Sequence, residues 1–165
     1  MRDYGIGRRF TVRGANSLTS GSDFQLFQLD TSSAGVKNGA KLVRLRMGIM
    51  PAIPSDEFVI FVRIARNFSS SAGSGSSTFN PINSTDATNG VLVNGTGAGT
   101  ALSGGTFDDL IEDTWNTRYP YDLNMAPDEA PYIQNASRRF CIQLGTTPLP
   151  SGSTLRWTTF FEVYE

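Results

Sequence analysis

STLRWTTFFEVYE, residues 153–165, places a large apolar side chain at nearly every second position. A period of two is the signature of a β-strand with two unlike faces. Leu155, Trp157, Thr159, Phe161 and Val163 fall on one side, and Arg156, Thr158, Phe160, Glu162 and Tyr164 on the other. Each large side chain buried from the first set contributes about 1.5–3 kcal/mol. That is enough to pin a terminal segment that would otherwise fray. The pattern predicts a strand interior to a sheet, and with it an all-β fold.

The same periodicity recurs upstream. AKLVRLRMGIM (40–50) sets Val43, Leu45, Met47 and Ile49 against Leu42, Arg44 and Arg46. DEFVIFVRIAR (56–66) sets Phe58, Ile60, Val62 and Ile64 against Val59, Phe61, Arg63 and Ala65. SRRFCIQLG (137–145) puts Phe140, Ile142 and Leu144 on one face, and DFQLFQLD (23–30) is partly apolar on both, with Phe24, Leu26 and Gln28 opposing Gln25, Phe27 and Leu29. After residue 145, TTPLPSG ends a strand and turns the chain, so the final segment is expected to return antiparallel to its predecessor. RRFTVR near the start and GVLVNG near residue 92 are weaker candidates. The total reaches seven or eight strands, which suits a two-sheet sandwich. Residues 69–106, rich in Gly, Ser, Thr and Asn, read as long surface loop with one short strand. TFDDLIEDTW (106–115) reads as one short helix, because Thr106 and Asp109 have capping-box spacing and the first turn is acidic.

The 165 residues suffice for one core, and no linker divides them. The chemistry they offer is sparse. There is no histidine, which removes the commonest general base and the commonest metal ligand along with the Ser/His/Asp and Cys/His nucleophile systems. The single cysteine, Cys141, excludes an internal disulfide and reads as a small buried side chain between Phe140 and Ile142. GTGAGTALSGG (95–105) lacks the Gly-Lys-Ser/Thr ending of a phosphate loop. Asp108, Asp109, Glu112 and Asp113 read as a solvated helix face; a Ca²⁺ site at a subunit contact is the sharper alternative. Four Asn-x-Ser/Thr sequons begin at Asn67, Asn83, Asn94 and Asn135, and read as loop chemistry. MRDYGIGRRF has no apolar run of signal-peptide length, and no stretch is apolar enough for a membrane-spanning helix. The expectation is a protein that is not an enzyme, with no cofactor, no metal, no small-molecule substrate, no membrane partner and no signal peptide.

Charge is unevenly spread. Residues 1–66 hold ten Arg or Lys against five acids, and residues 67–165 hold four against ten. Arg2, Arg8, Arg9 and Arg13, with the outward Arg44, Arg46 and Arg63, are candidates for a basic surface. Such a surface either meets nucleic-acid phosphates or docks on the acidic half of a neighbouring copy.

A short arginine-bearing N-terminal arm (1–22), a body (23–165) of about eight strands and long polar loops together resemble the small single-jelly-roll capsid proteins of viruses. The nearest types are the coats of nanovirus-like circular single-stranded DNA viruses and of plant satellite viruses. GAKLVRLRMGIM, DEFVIFVRIAR and LRWTTFFEVYE stand about where such coats keep core strands. The resemblance implies a single eight-stranded jelly-roll β-sandwich of two four-stranded sheets, and identical subunits meeting in a closed icosahedral shell. It implies a place in the virion, around a viral genome. The chain departs from the pattern in lacking a dense Arg/Lys arm, having only RRFTVR there. The alternative is a non-catalytic β-sandwich binding module, carbohydrate-binding or phage receptor-binding, with Trp115, Tyr119, Tyr121 and Tyr132 stacking on sugar rings.

Overall fold

β-branched and aromatic residues alternating with polar ones fit a pleated surface that is half-buried, and the apolar segments pair accordingly. The computed structural model describes residues 8–17, 24–30, 39–50, 59–68, 80–82, 92–94, 105–126, 128–133, 139–145 and 154–164. They form strands β1 (Arg8–Ser17), β2 (Phe24–Asp30), β3 (Gly39–Met50), β4 (Val59–Phe68), β5 (Asn80–Pro81), β6 (Leu92–Asn94), β7 (Gly105–Asn116), β8 (Tyr121–Asn124), β9 (Tyr132–Ile133), β10 (Arg139–Leu144) and β11 (Thr154–Tyr164). Among these, seven strands have six residues or more, and β8 has four.

Two antiparallel sheets result. The first runs β5-β1-β11-β3-β8, with β9 also on β3, and the second runs β6-β2-β10-β4-β7. The pairing is nested: β1 takes β11, β2 takes β10, β3 takes β8 and β4 takes β7. One buried cluster joins the sheets. Phe10, Val12, Leu42, Leu45, Met47, Leu155, Trp157 and Phe161 enter it from the first, and Ile60, Val62, Ile64, Trp115, Ile142 and Leu144 from the second. Thr159 is also fully buried, and its hydroxyl donates to the carbonyl of Val12 at 3.2 Å.

The terminal strand is interior, as its pattern predicts, with β1 on one side and β3 on the other. It does not pair with its predecessor: β10 lies in the second sheet, so the chain crosses between layers after residue 145.

The helix expected over residues 106–115 is instead most of β7, an edge strand. The reason is electrostatic. A helix would set Asp108 beside Glu112 and Asp109 beside Asp113, two repulsive i,i+4 pairs, and a helix this short is marginal alone. As a strand the segment covers the edge of β4 and sets Asp109 and Asp108 against Arg63 and Arg66. Leu110 is the extra residue where the register against Ile64 and Ala65 shifts, and past it Ile111, Asp113 and Trp115 follow one face.

A second bulge corrects the reading of β3. Between Phe160 and Phe161 the pairing steps from Arg44 to Leu42, leaving Val43 unpaired. Leu42 and Ala40 therefore join Leu45 and Met47 in the core, rather than siding with Arg44 and Arg46. In β2 the register shift leaves Leu26 over, so Phe27 stands opposite Ile142 and Phe24 opposite Leu144. Ten of the residues read as N-terminal arm, 8–17, pair with β11 along their whole length. Within 69–106, the described pieces are β5, Ile82, β6 and the start of β7.

Candidate functional site: the basic face of the first sheet

Once Phe10, Val12, Leu45, Met47, Leu155 and Trp157 turn inward, the alternate positions of the first sheet face away from the core. Cross-strand register then decides which of them become neighbours. Arg13 stands beside Thr158, and Thr158 beside Arg46, which stands beside Asp122. The next row is Ala15, Arg156 and Gly48, and on the other side Thr11, Phe160, Arg44 and Asn124 line up. Arg9, Glu162 and Lys41 form a further row. Among the described residues this face gathers Arg9, Arg13, Lys41, Arg44, Arg46 and Arg156 against Asp122 and Glu162, a surplus of four positive charges.

The two acids are not evenly shared. Asp122 accepts from Arg44 Nε at 2.7 Å and Nη2 at 2.5 Å, and its Oδ2 lies 3.3 Å from Arg46 Nε. Hydrogen bonds from Arg44 hold the Asp122 carboxyl below its ordinary range; slight burial opposes them, and the charges of Arg44 and Arg46 add to them. The same pairing raises the Arg44 guanidinium. Glu162 lies 3.8 Å from Arg9. Among the described residues no carboxylate pairs with Arg13 or Arg156. Together with Arg46 they edge a depression of about 510 Å³, with Thr158 between them and Pro120 and Tyr121 at its margin.

The depressed Asp122 value has a consequence for pH. A carboxylate whose folded-state pKa lies below its unfolded value contributes stability above the unfolded value, and loses it as pH falls through the folded one. Asp122→Asn is therefore expected to cause a small loss of stability at neutral pH, on the scale of an exposed ion pair. The difference from the unsubstituted protein closes at strongly acidic pH. Urea unfolding at both pH values measures it; an unchanged difference at acid pH contradicts the pairing.

Of the residues proposed from sequence, Arg9, Arg13, Arg44 and Arg46 share this face. Arg63 does not. It lies on the second sheet, bound in a bidentate pair to Asp109 at 2.6 and 2.9 Å, which raises its pKa. Arg8 belongs to the backbone of β1, and Arg2 lies outside the described residues. Sequence reasoning missed Arg156 and Lys41. Arg156 was legible as an outward residue of the last strand, but nothing in its own neighbourhood places it between β1 and β3.

Three of the four acids of residues 108–113 likewise have assigned work. Asp109 and Asp108 hold Arg63 and Arg66, and Asp113 accepts the Tyr121 hydroxyl at 3.0 Å. Arg66 also donates to the Tyr132 carbonyl at 3.0 Å, tying the second sheet to β9 of the first. Burial, reinforced by Asp113, pushes the Tyr121 phenol well above its ordinary value. Trp115 is buried and donates from Nε1 to the Tyr119 carbonyl at 2.7 Å. Cys141 is fully buried, and that burial drives its thiol pKa upward, away from thiolate chemistry.

Comparison with protein-family models, curated proteins and solved structures finds no match for this chain.

Proposed function

We propose that the chain is a viral capsid protein, an eight-stranded jelly roll whose identical copies assemble into a closed icosahedral shell around a genome. The observation that carries this reading is the nested pairing order. Counting β1, β2, β3, β4, β7, β8, β10 and β11 as strands one to eight, the sheets contain the orders 1-8-3-6 and 2-7-4-5. That is the arrangement produced when one long antiparallel hairpin of four strand pairs is rolled over itself. Double-sheet jelly rolls recur in viral coats and in lectins, so the surface has to choose between them.

Two features favour the coat. Trp115 and Tyr121 belong to the core, which removes two of the four aromatic rings available for stacking on a sugar. Met50, Val59, Phe61, Ile82 and Tyr119 remain exposed, as suits side chains covered by neighbouring copies. The virion is accordingly the proposed location.

Electron microscopy of the concentrated, purified protein over a range of salt and pH tests the reading. Closed particles or their pentameric fragments are the expected result. A protein that stays monomeric throughout contradicts it, and saturable binding of a glycan by that monomer supports the binding-module alternative.

A further inference from the structure

We propose that the depression between Arg13, Arg46 and Arg156 is a phosphate-binding site. The proposal is independent of shell assembly, because it needs only the charge and shape of one face.

Strand spacing sets the scale. Adjacent strands lie about 4.8 Å apart, so Arg13 and Arg46, on either side of Thr158, leave the sheet roughly 10 Å from each other; Arg156, two residues along β11, is offset by about 7 Å. Three long side chains rising from such a triangle can converge their guanidinium forks on one anion. A guanidinium donates in pairs to phosphate oxygens, a geometry that an ammonium lacks. Thr158, midway between Arg13 and Arg46, adds a hydroxyl to the lining.

The small residues matter as much as the charged ones. Ala15 and Gly48 flank Arg156 in the same row, so nothing bulky fills the floor beside it. A Cβ built on Gly48 meets no atom within 4 Å, which shows the space is open.

Charge compensation within the chain also favours an external anion. Asp122, opposite Arg46 across β3 and β8, is shared between Arg44 and Arg46, and Arg13 and Arg156 face no described carboxylate. Of the described acids that a second copy could offer, Asp108, Asp109, Asp122 and Glu162 are already engaged in their own chain. Phosphate oxygens arrive from two sources, the backbone of a nucleic-acid strand or a free phosphate compound, and the site's chemistry is common to both.

Two titrations separate the sources. A fluorescently labelled single-stranded oligonucleotide, followed by anisotropy at several salt concentrations, reports the strand. Inorganic pyrophosphate, followed by the emission of Trp157 beneath the depression in a Trp115→Phe background, reports the free anion. At least one of the two is expected to bind at low salt, and the arm that responds identifies the source. Arg156→Gln is expected to weaken that binding about tenfold; for the oligonucleotide it also lowers the slope of log affinity against log salt by about one. Arg118→Gln removes the same charge from an exposed turn and is expected to change neither. Gly48→Glu, whose Cβ meets no atom within 4 Å, adds a carboxylate to this face and is expected to abolish binding while the unfolding midpoint holds.

The proposal is overturned if neither probe binds, if Arg156→Gln and Arg118→Gln weaken binding equally, or if Gly48→Glu folds and binds undiminished. Particles that form normally alongside any of these results would remove the phosphate site and leave the shell reading standing. A monomer that binds either probe does the reverse.

Discussion

Phe161→Ala is expected to cost about 3–5 kcal/mol of folding stability. Phe161 is 1% exposed and stands on the central strand of the first sheet. Its cross-strand neighbours are Phe10 on β1 and Leu42 on β3, each also 1% exposed. Truncation therefore removes a ring from a position hemmed in by two hydrogen-bonded strands, which cannot move together to fill the void without breaking their ladders. Domains of this kind are stable by only about 5–15 kcal/mol, so the loss is a large fraction of the whole. Urea unfolding monitored through the two buried tryptophans measures it. A loss below about 1 kcal/mol would mean that the position is not packed as described. Phe161→Leu, which keeps most of the volume, is expected to lose much less.

A second large effect comes from adding atoms. Gly14 occupies an inward position of β1, two residues beyond Val12, and pairs with Trp157. A Cβ there falls 2.6 Å from Cζ2, 2.7 Å from Cε2 and 2.8 Å from Nε1 of the Trp157 indole. Carbon atoms in contact prefer about 3.5–4.0 Å, and the indole, 2% exposed, is confined by the core. Gly14→Ala is expected to destabilise by about 1–3 kcal/mol, the usual range for overpacking, and Gly14→Val by the upper end or more. The cause can be isolated by a double-mutant cycle. In a Trp157→Phe background, which removes the indole edge in contact, Gly14→Ala is expected to cost clearly less. An equal cost in both backgrounds would assign the effect to the strand itself rather than to the ring. Gly48 provides the contrast: it lies on the opposite face of the same sheet, and its added Cβ meets open space.

Strand identity was legible wherever period two ran unbroken. The last segment and residues 59–64 show it, since their predicted inward sets are the buried ones: Leu155, Trp157, Thr159 and Phe161, and Ile60, Val62 and Ile64. Periodicity failed where a bulge resets it. Leu42 lies two residues from Arg44, which simple alternation puts on the same face, yet the unpaired Val43 turns it to the other side. Residues 106–115 misled for a related reason. The Leu110 bulge breaks the alternation and leaves an apolar spacing that imitates a helix, while the repulsion between acids four apart was the available signal against one.

The basic face was only half-readable. A sequence shows which residues point away from the core on each strand, but not which strands become neighbours. Arg13, Arg46 and Arg156 lie far apart along the chain, and it is the insertion of β11 between β1 and β3 that brings them to one place. The opposite charges of the two halves were legible, and the pairs Arg44–Asp122, Arg63–Asp109 and Arg66–Asp108 show that much of that difference is settled within one molecule.

The position of β11 also sets an order of events during synthesis. Arg8 pairs with Val163, so β1 waits for its main neighbour until a strand far along the chain has emerged, and contacts this distant in sequence make for slow folding. A nascent chain still lacking residues 154–164 carries two unmatched backbone edges, on β1 and on β3, ready to accept a strand from any other source. Such intermediates are vulnerable to mispairing while translation proceeds, and that hazard ends when the final strand slots between them.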